Sequence, residues 1–228
     1  ASQMFHVPVV KHGENGHLRQ KGKIAELACG YGGGVGALKS MGALDMGIAE
    51  NELQSIIDDW RGANPNIVKL WYEVGNAAIR VIKEKSIEKV RNLTLKYESG
   101  ILFIALPGGR QLSYVKPKIG INRFGGESIT YMGLTQAKKW GRLETFGGKL
   151  VENIIQAIAR DLLAAAMMNV TAAGYDIVFH VHDEIIAEVP NDKGSVDEMC
   201  GLMSVCPDWA AGLPLKADGY ECDFYRKD

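Results

Sequence analysis

The chain has 228 residues, 46% hydrophobic and 23% charged, with a formal net charge of −1 at pH 7. That balance excludes disordered, fibrous and collagen-like chains and describes an ordinary globular protein. No run of 18 apolar residues occurs, and the start ASQMFHVPVVKHGENG lacks a charged segment followed by a long apolar core, so neither a membrane span nor a secretory signal is expected.

Helical spacing predicts a helix over residues 17 to 40, with glycines thickening after Cys29. A second is predicted over Ala49–Arg61, with Asp58 and Asp59 on its polar side, and a third over Asn66–Lys85, the two separated by Asn64 and Pro65. The period then changes. Residues 93–97 and 101–106 read as strands, Pro107–Arg110 as a turn and Gln111–Val115 as another strand. The stretch 117 to 147 is glycine-rich and basic with weak periodicity, and is expected to mix strand and loop. From Lys149 to Met168, the residues Val151, Ile154, Ile155, Ile158, Leu162 and Ala165 follow helical spacing and mark one buried face, which Gly174 closes. A hairpin is predicted within 176–190, then a helix over about 192–205 and a terminal strand near Leu215. Helices first and a helix-plus-sheet unit last predict an α+β fold with two subdomains.

The four cysteines, Cys29, Cys200, Cys206 and Cys222, form no C-x-x-C pair. They read as reduced, buried thiols of a cytoplasmic protein, and structural zinc is not expected. Charge is unevenly placed: residues 69 to 149 hold 15 Lys/Arg against 6 Asp/Glu, and residues 150 to 228 hold 5 against 14. One region is therefore suited to a polyanion and another gathers carboxylates, unless both are simply solvated faces.

Two local patterns carry chemistry. In DIVFHVHDEIIAEVP, residues 176–190, two alternating runs flank His182–Asp183, which makes a hairpin with the charged residues at its tip. His-Asp is a poor two-residue turn, where Asn-Gly or Asp-Gly would better accept positive φ angles. A rigidly held aspartate there is suited to Mg²⁺, the plain alternative being a solvated tip. In RQKGKIAELACGYGGG, Arg19, Lys23, Leu27 and Tyr31 recur every four residues and Gly32 follows. On a helix each step drifts by ~40°, giving a spiralling stripe ~18 Å long. Two cations can grip phosphates and an aromatic ring can lie against a base. The plain alternative is an amphipathic helix with solvated cations.

Together these residues resemble the family A (polymerase-I-like) DNA polymerases. R-x-x-x-K-x-x-x-(apolar)-x-x-x-Y-G is similar to that family's fingers-helix motif, and Val181-His-Asp-Glu184 to its palm hairpin. Gln156-Ala-Ile-Ala-Arg-Asp161 resembles its Q-x-x-A-x-D helix, and Leu106-Pro-Gly-Gly-Arg110 its glycine-arginine turn. GKIAELACGYGGGVGAL and FGGKLVENIIQAIARDLL look most like the phage and prophage branch.

The resemblance implies a fingers subdomain over residues 1–140, with a basic strand and loop region at about 92–140, and the C-terminal part of a palm over 141–228, with a small antiparallel sheet and packed helices. It implies that Arg19 and Lys23 neutralise the triphosphate of an incoming deoxynucleotide, that Tyr31 stacks at the nascent base pair, and that Gly32 allows close approach. Leu27 stands where better-known relatives carry Phe or Tyr, so sugar discrimination there is open. Arg110 and Gln156 are implied as contacts to a DNA template-primer, His182 as a neighbour of the primer end, Asp183 as a ligand of the catalytic Mg²⁺ pair, and Glu184 as an auxiliary carboxylate. The chemistry implied is two-metal phosphoryl transfer to a primer 3′-hydroxyl.

The family's first palm motif, an Asp-bearing strand with a nearby Glu, is not found before Arg19, and the thumb is missing as well. The chain is therefore expected to be the C-terminal portion of a longer polymerase, with one metal-ligand set missing and negligible activity alone. Two other readings stay open: a non-catalytic nucleotide- or nucleic-acid-binding remnant, and a hydrolase using His180, His182 and Asp183 for zinc or manganese.

Overall fold

The computed structural model describes residues 1–122, 124–190 and 192–226, apart from the side chains at positions 3 and 4. Arg123, part of the basic stretch noted above, lies outside them. The fold is α+β. The chain divides into two compact units, the first made of Ala1–Ala105 with Gln111–Asn153 and the second of Leu106–Arg110 with Ile154–Asp228.

The first unit opens with α1 (Ser2–Phe5), α2 (Leu18–Cys29), α3 (Val35–Ser40), α4 (Leu53–Ala63) and α5 (Pro65–Glu84). α2 buries Ile24, Ala25, Ala28 and Cys29, which share a core with Leu38 and with Leu53, Ile57 and Trp60 of α4. The helix predicted over 17 to 40 is therefore two. α2 stops at Cys29 because the chain turns through Gly30–Gly34, where Gly32 has φ +80°, and a β-carbon on Gly33 would lie 2.0 Å from the Ala28 carbonyl oxygen. α5 starts with Pro65 in its first turn and ends at Lys85 with φ 53°. Its buried Trp71, Val74, Ala78 and Val81 recur at three- and four-residue steps. Val74 and Val81, fully buried, each contribute roughly 1.5–3 kcal/mol of burial free energy.

That stripe packs on a six-stranded antiparallel meander, β1 (Ile87–Val90), β2 (Leu93–Glu98), β3 (Ile101–Ala105), β4 (Gln111–Ile121), β5 (Glu127–Leu134) and β6 (Trp140–Thr145). Leu95, Leu102, Ile104, Tyr114 and Ile129 form the buried face. The stretch 117 to 147 thus mixes strand and loop, as expected, though the sequence did not locate its strands. Its period was masked because one sheet face is buried and the other mixes polar with apolar residues, and because β4 is irregular between Val115 and Lys118.

α6 (Gly147–Ala172) begins in the first unit, and its part from Ile154 onward belongs to the second. Its most buried positions are Leu150, Val151, Ile154, Ala157, Leu163, Ala166 and Val170. The seam therefore lies beside the expected one: Ile155 is 44% exposed, and Ile158, Leu162 and Ala165 are half-buried. Both stripes are apolar, and periodicity alone could not choose between them. α6 is the one described helix with the length and composition to cross a bilayer, yet Arg160 and Asp161 sit at its middle.

In the second unit α6 is followed by Gly174 at φ +92°, then by the hairpin β7 (Asp176–Val181) and β8 (Glu184–Glu188), and by α7 (Val196–Met203). Ser195 caps α7, its hydroxyl accepting from the Glu198 N–H at 3.1 Å. The Tyr175 hydroxyl donates to Glu198 at 2.8 Å and accepts from the Ser195 N–H at 3.2 Å. The helix expected over 192–205 is shorter, and Leu215 lies in no strand among the described residues. A strand there would need a paired edge, and the Leu215 N–H instead bonds the Leu213 carbonyl within a tight turn.

Candidate functional site

The predicted site residues fall into two sets, one in each unit. In the first unit Arg19, Lys23 and Leu27 all lie on α2 and are exposed, on the side away from Ile24, Ala25 and Ala28. Neither cation has an acidic partner among the described residues. Unpaired cations one turn apart form an electropositive ridge suited to a polyphosphate. Tyr31 and Gly32 lie past the end of α2, in the turn. The stripe is thus three residues on a helix with the aromatic carried by the following turn, because the glycines end the helix first.

That turn rests on the start of α6. A β-carbon on Gly32 would meet the Phe146 ring at 3.2 Å and the Gly148 Cα at 3.5 Å, and one on Gly148 would lie 2.3 Å from the Tyr31 carbonyl oxygen. Gly147 likewise packs on the Trp71 backbone. Phe146 and Gly148 therefore support the Tyr31–Gly32 turn and Gly147 seats against α5, roles the sequence reading missed. Their signal was the double glycine at a helix start, where no turn requires it.

In the second unit Arg110 closes the turn after β3. Its Nε donates to Asp161 Oδ1 at 2.7 Å and its Nη2 to the Ala157 carbonyl at 2.7 Å, which seats it on α6 beside the exposed Gln156. The hairpin tip has the strain its sequence announced: His182 has φ 50°, left-handed backbone that a non-glycine residue adopts at a cost. His182 and Asp183 are exposed and Glu184 is half-buried. Glu184 accepts a hydrogen bond from the Tyr225 hydroxyl at 3.0 Å, which pushes the Tyr225 phenol above its ordinary range. The Tyr225 ring meets Phe179 edge-on at 5.2 Å. The Arg160 guanidinium lies 3.1–3.3 Å from both ring nitrogens of His180, so a cation already sits where an ion bound by His180 would have to come.

The residues present do not by themselves build a magnesium site. Among the described residues no three His, Cys, Asp or Glu come together to hold a metal. At the tip Asp183 is the exposed carboxylate and Glu184 is engaged by Tyr225. Of the thiols, Cys29 is buried, Cys200 and Cys206 are half-buried and Cys222 is exposed, so the expected burial holds for one of four. All four are free.

No family model and no solved structure matches the chain. It is 54% identical, over 230 aligned positions that cover all of it, to a protein of Bacillus phage SP02 named DNA polymerase. The chain spans 36% of the length of that relative.

Proposed function

We propose that the chain is the C-terminal portion of a DNA-directed DNA polymerase of the family A type, adding deoxynucleotides to a primer 3′ end. The observation that carries this reading is the 54% identity across the whole chain to a phage DNA polymerase. The exposed Arg19, Lys23 and Leu27 of α2, running into the glycine-backed Tyr31 turn, support it. In this reading residues 1–140 are fingers and 141–228 part of the palm. Arg19 and Lys23 hold the triphosphate, Leu27 and Tyr31 face sugar and base, and Gly32 keeps the approach open. Arg110 and Gln156 face template-primer DNA, His182 sits by the primer end, and Asp183 is one magnesium-binding carboxylate with Glu184 auxiliary to it. Magnesium would neutralise phosphate charge as the new bond forms. Among the described residues no second unengaged carboxylate accompanies Asp183 at the hairpin tip, so the reading requires another from elsewhere in the polymerase. In this reading the protein works in the cytoplasm with its thiols reduced.

The test is primer extension with Mg²⁺. The chain alone should extend no primer, and adding the remaining portion of such a polymerase should restore extension, which Lys23→Ala or Asp183→Ala should each abolish. Robust extension by the mixture with Asp183→Ala would refute the assignment.

A further inference from the structure

The six-stranded sheet of the first unit carries α5 on one face, and its other face bears a pattern that neither the motifs nor the comparison explains. Ile87, Lys96, Phe103 and Ser113 are register partners in a row across β1 to β4. Ile101, Val115, Met132 and Arg142 form the neighbouring row across β3 to β6. Trp140, two residues from Arg142 and so on the same face, is 64% exposed, and Phe103 is half-buried. Lys89 and Lys118 also point to this face, both exposed and without acidic partners among the described residues. Arg142 Nη1 donates to Thr130 Oγ1 at 3.0 Å and to the Lys116 carbonyl at 3.3 Å, which holds the guanidinium across the strands. The acids on this face are Glu98, paired with Lys96 at 2.8 Å, and Glu144.

We propose that this open sheet face binds single-stranded nucleic acid. Bases stack on Trp140 and Phe103, and phosphates are met by Lys89, Lys118 and Arg142. Charge complementarity selects the partner: the face is net positive, in the part of the chain with 15 Lys/Arg against 6 Asp/Glu. The exposed indole selects the strand state, since only unpaired bases offer their faces to a ring. Six strands span ~24 Å, room for several nucleotides of an extended strand. The inference deepens the polymerase reading by giving the unpaired strand a surface, and rests on that reading for the partner's biological identity.

The experiment is fluorescence anisotropy of a labelled twenty-residue oligodeoxythymidine with the 228-residue chain, over a series of salt concentrations. Trp140→Ala should weaken binding at least about fivefold, the lower end for a lost base-stacking contact, while Trp140→Phe retains most of it. Lys89→Ala and Lys118→Ala should each lower the slope of log affinity against log salt by about 0.7. Thermal melts would establish that these exposed substitutions leave the fold intact. Affinity unchanged in all variants, or a self-associated chain that buries Trp140 and ignores the oligonucleotide, would overturn the proposal. Oligonucleotide binding with these dependences but no restored primer extension would count against the polymerase reading alone. Restored extension with oligonucleotide binding indifferent to Trp140 and the lysines would count against the sheet surface alone.

Discussion

Arg110 and Asp161, 51 residues apart in sequence, meet with the guanidinium Nε 2.7 Å from the carboxylate Oδ1. The two are unequal partners: the Asp161 side chain is 16% accessible and its Oδ2 is buried without a hydrogen bond, while the Arg110 side chain is 47% accessible. Removing the arginine strands a mostly buried carboxylate, whereas neutralising the aspartate leaves a cation that can turn to water. Arg110→Ala should therefore cost about 2 kcal/mol and Asp161→Asn about 1 kcal/mol, after discounting for the exposed arginine. Urea midpoints at constant m-value measure both, and a larger loss for Asp161→Asn would refute this account.

The thiols should separate by environment. Burial pushes the Cys29 thiol up to about 11, the nearby Arg61 opposing the shift, whereas Cys222 is exposed. With a thiol reagent at pH 8, Cys222 should react at once and Cys29 only on unfolding. Equal rates in the folded chain would contradict the burial of α2.

Stability should fall at alkaline pH for an identifiable reason. Burial raises the Tyr114 phenol to about 12, against the stabilising effect of the Asn153 amide donating to its oxygen at 3.0 Å on the ionised form. The folded chain thus holds this proton more tightly than the unfolded one, whose tyrosine titrates near 10. The contribution of Tyr114 is complete below about pH 10 and is lost as pH rises towards about 12. Chemical denaturation at several pH values should show that decline, reduced in Tyr114→Phe. An identical decline in Tyr114→Phe would assign it to other groups.

Two glycines should respond in opposite directions to alanine. A β-carbon on Gly147 would lie 2.0 Å from the Trp71 carbonyl oxygen, so Gly147→Ala must push α5 and the start of α6 apart, at a cost of about 1–3 kcal/mol. Gly36 lies inside α3 with nothing within 4 Å of an added β-carbon, and Gly36→Ala should stabilise by about 0.5–1 kcal/mol through helix propensity. Differential scanning calorimetry distinguishes the two, and a destabilised Gly36→Ala would show that its surroundings are misdescribed.

Leu27 offers a separation of binding from folding. Its side chain is 49% exposed on α2, so Leu27→Ala should change stability by no more than about 0.5 kcal/mol. In the complemented polymerase the same substitution should weaken deoxynucleotide use. A large drop in stability would mean that Leu27 serves the core instead.

Much of this was legible where one physical rule dominated. The Asn64–Pro65 break and the change to period two at Leu93 located α5 and the first central strands. The paired runs around His182–Asp183 located the hairpin, and the poor turn dipeptide announced the positive φ found at His182. Reading failed where rules competed. Glycines cut the α2 stripe before Tyr31, two apolar stripes on α6 were equally periodic, and strands β5 and β6 hid behind the mixed composition of their uncovered face. Of the site, the residues on single elements were readable. Their supports, Phe146 and Gly148 under the Tyr31 turn and Tyr225 beside Glu184, depend on contacts distant in sequence.

The irregularity in β4 decides what water sees at one end of the sheet. Val115 and Lys118 are an odd number of residues apart, yet both face outward, because the chain takes an extra step at Lys116, where φ is 48°. Deleting one residue there would remove the surplus and restore strict alternation with Lys118 still outward and Ile119 still on α5's side, whereas flattening the irregularity without a deletion would turn the far end of the strand inside out. A single surplus residue thus works as a polarity inverter: the intact strand paired without it would present Ile119 in place of Lys118, a greasy patch where a basic one now stands.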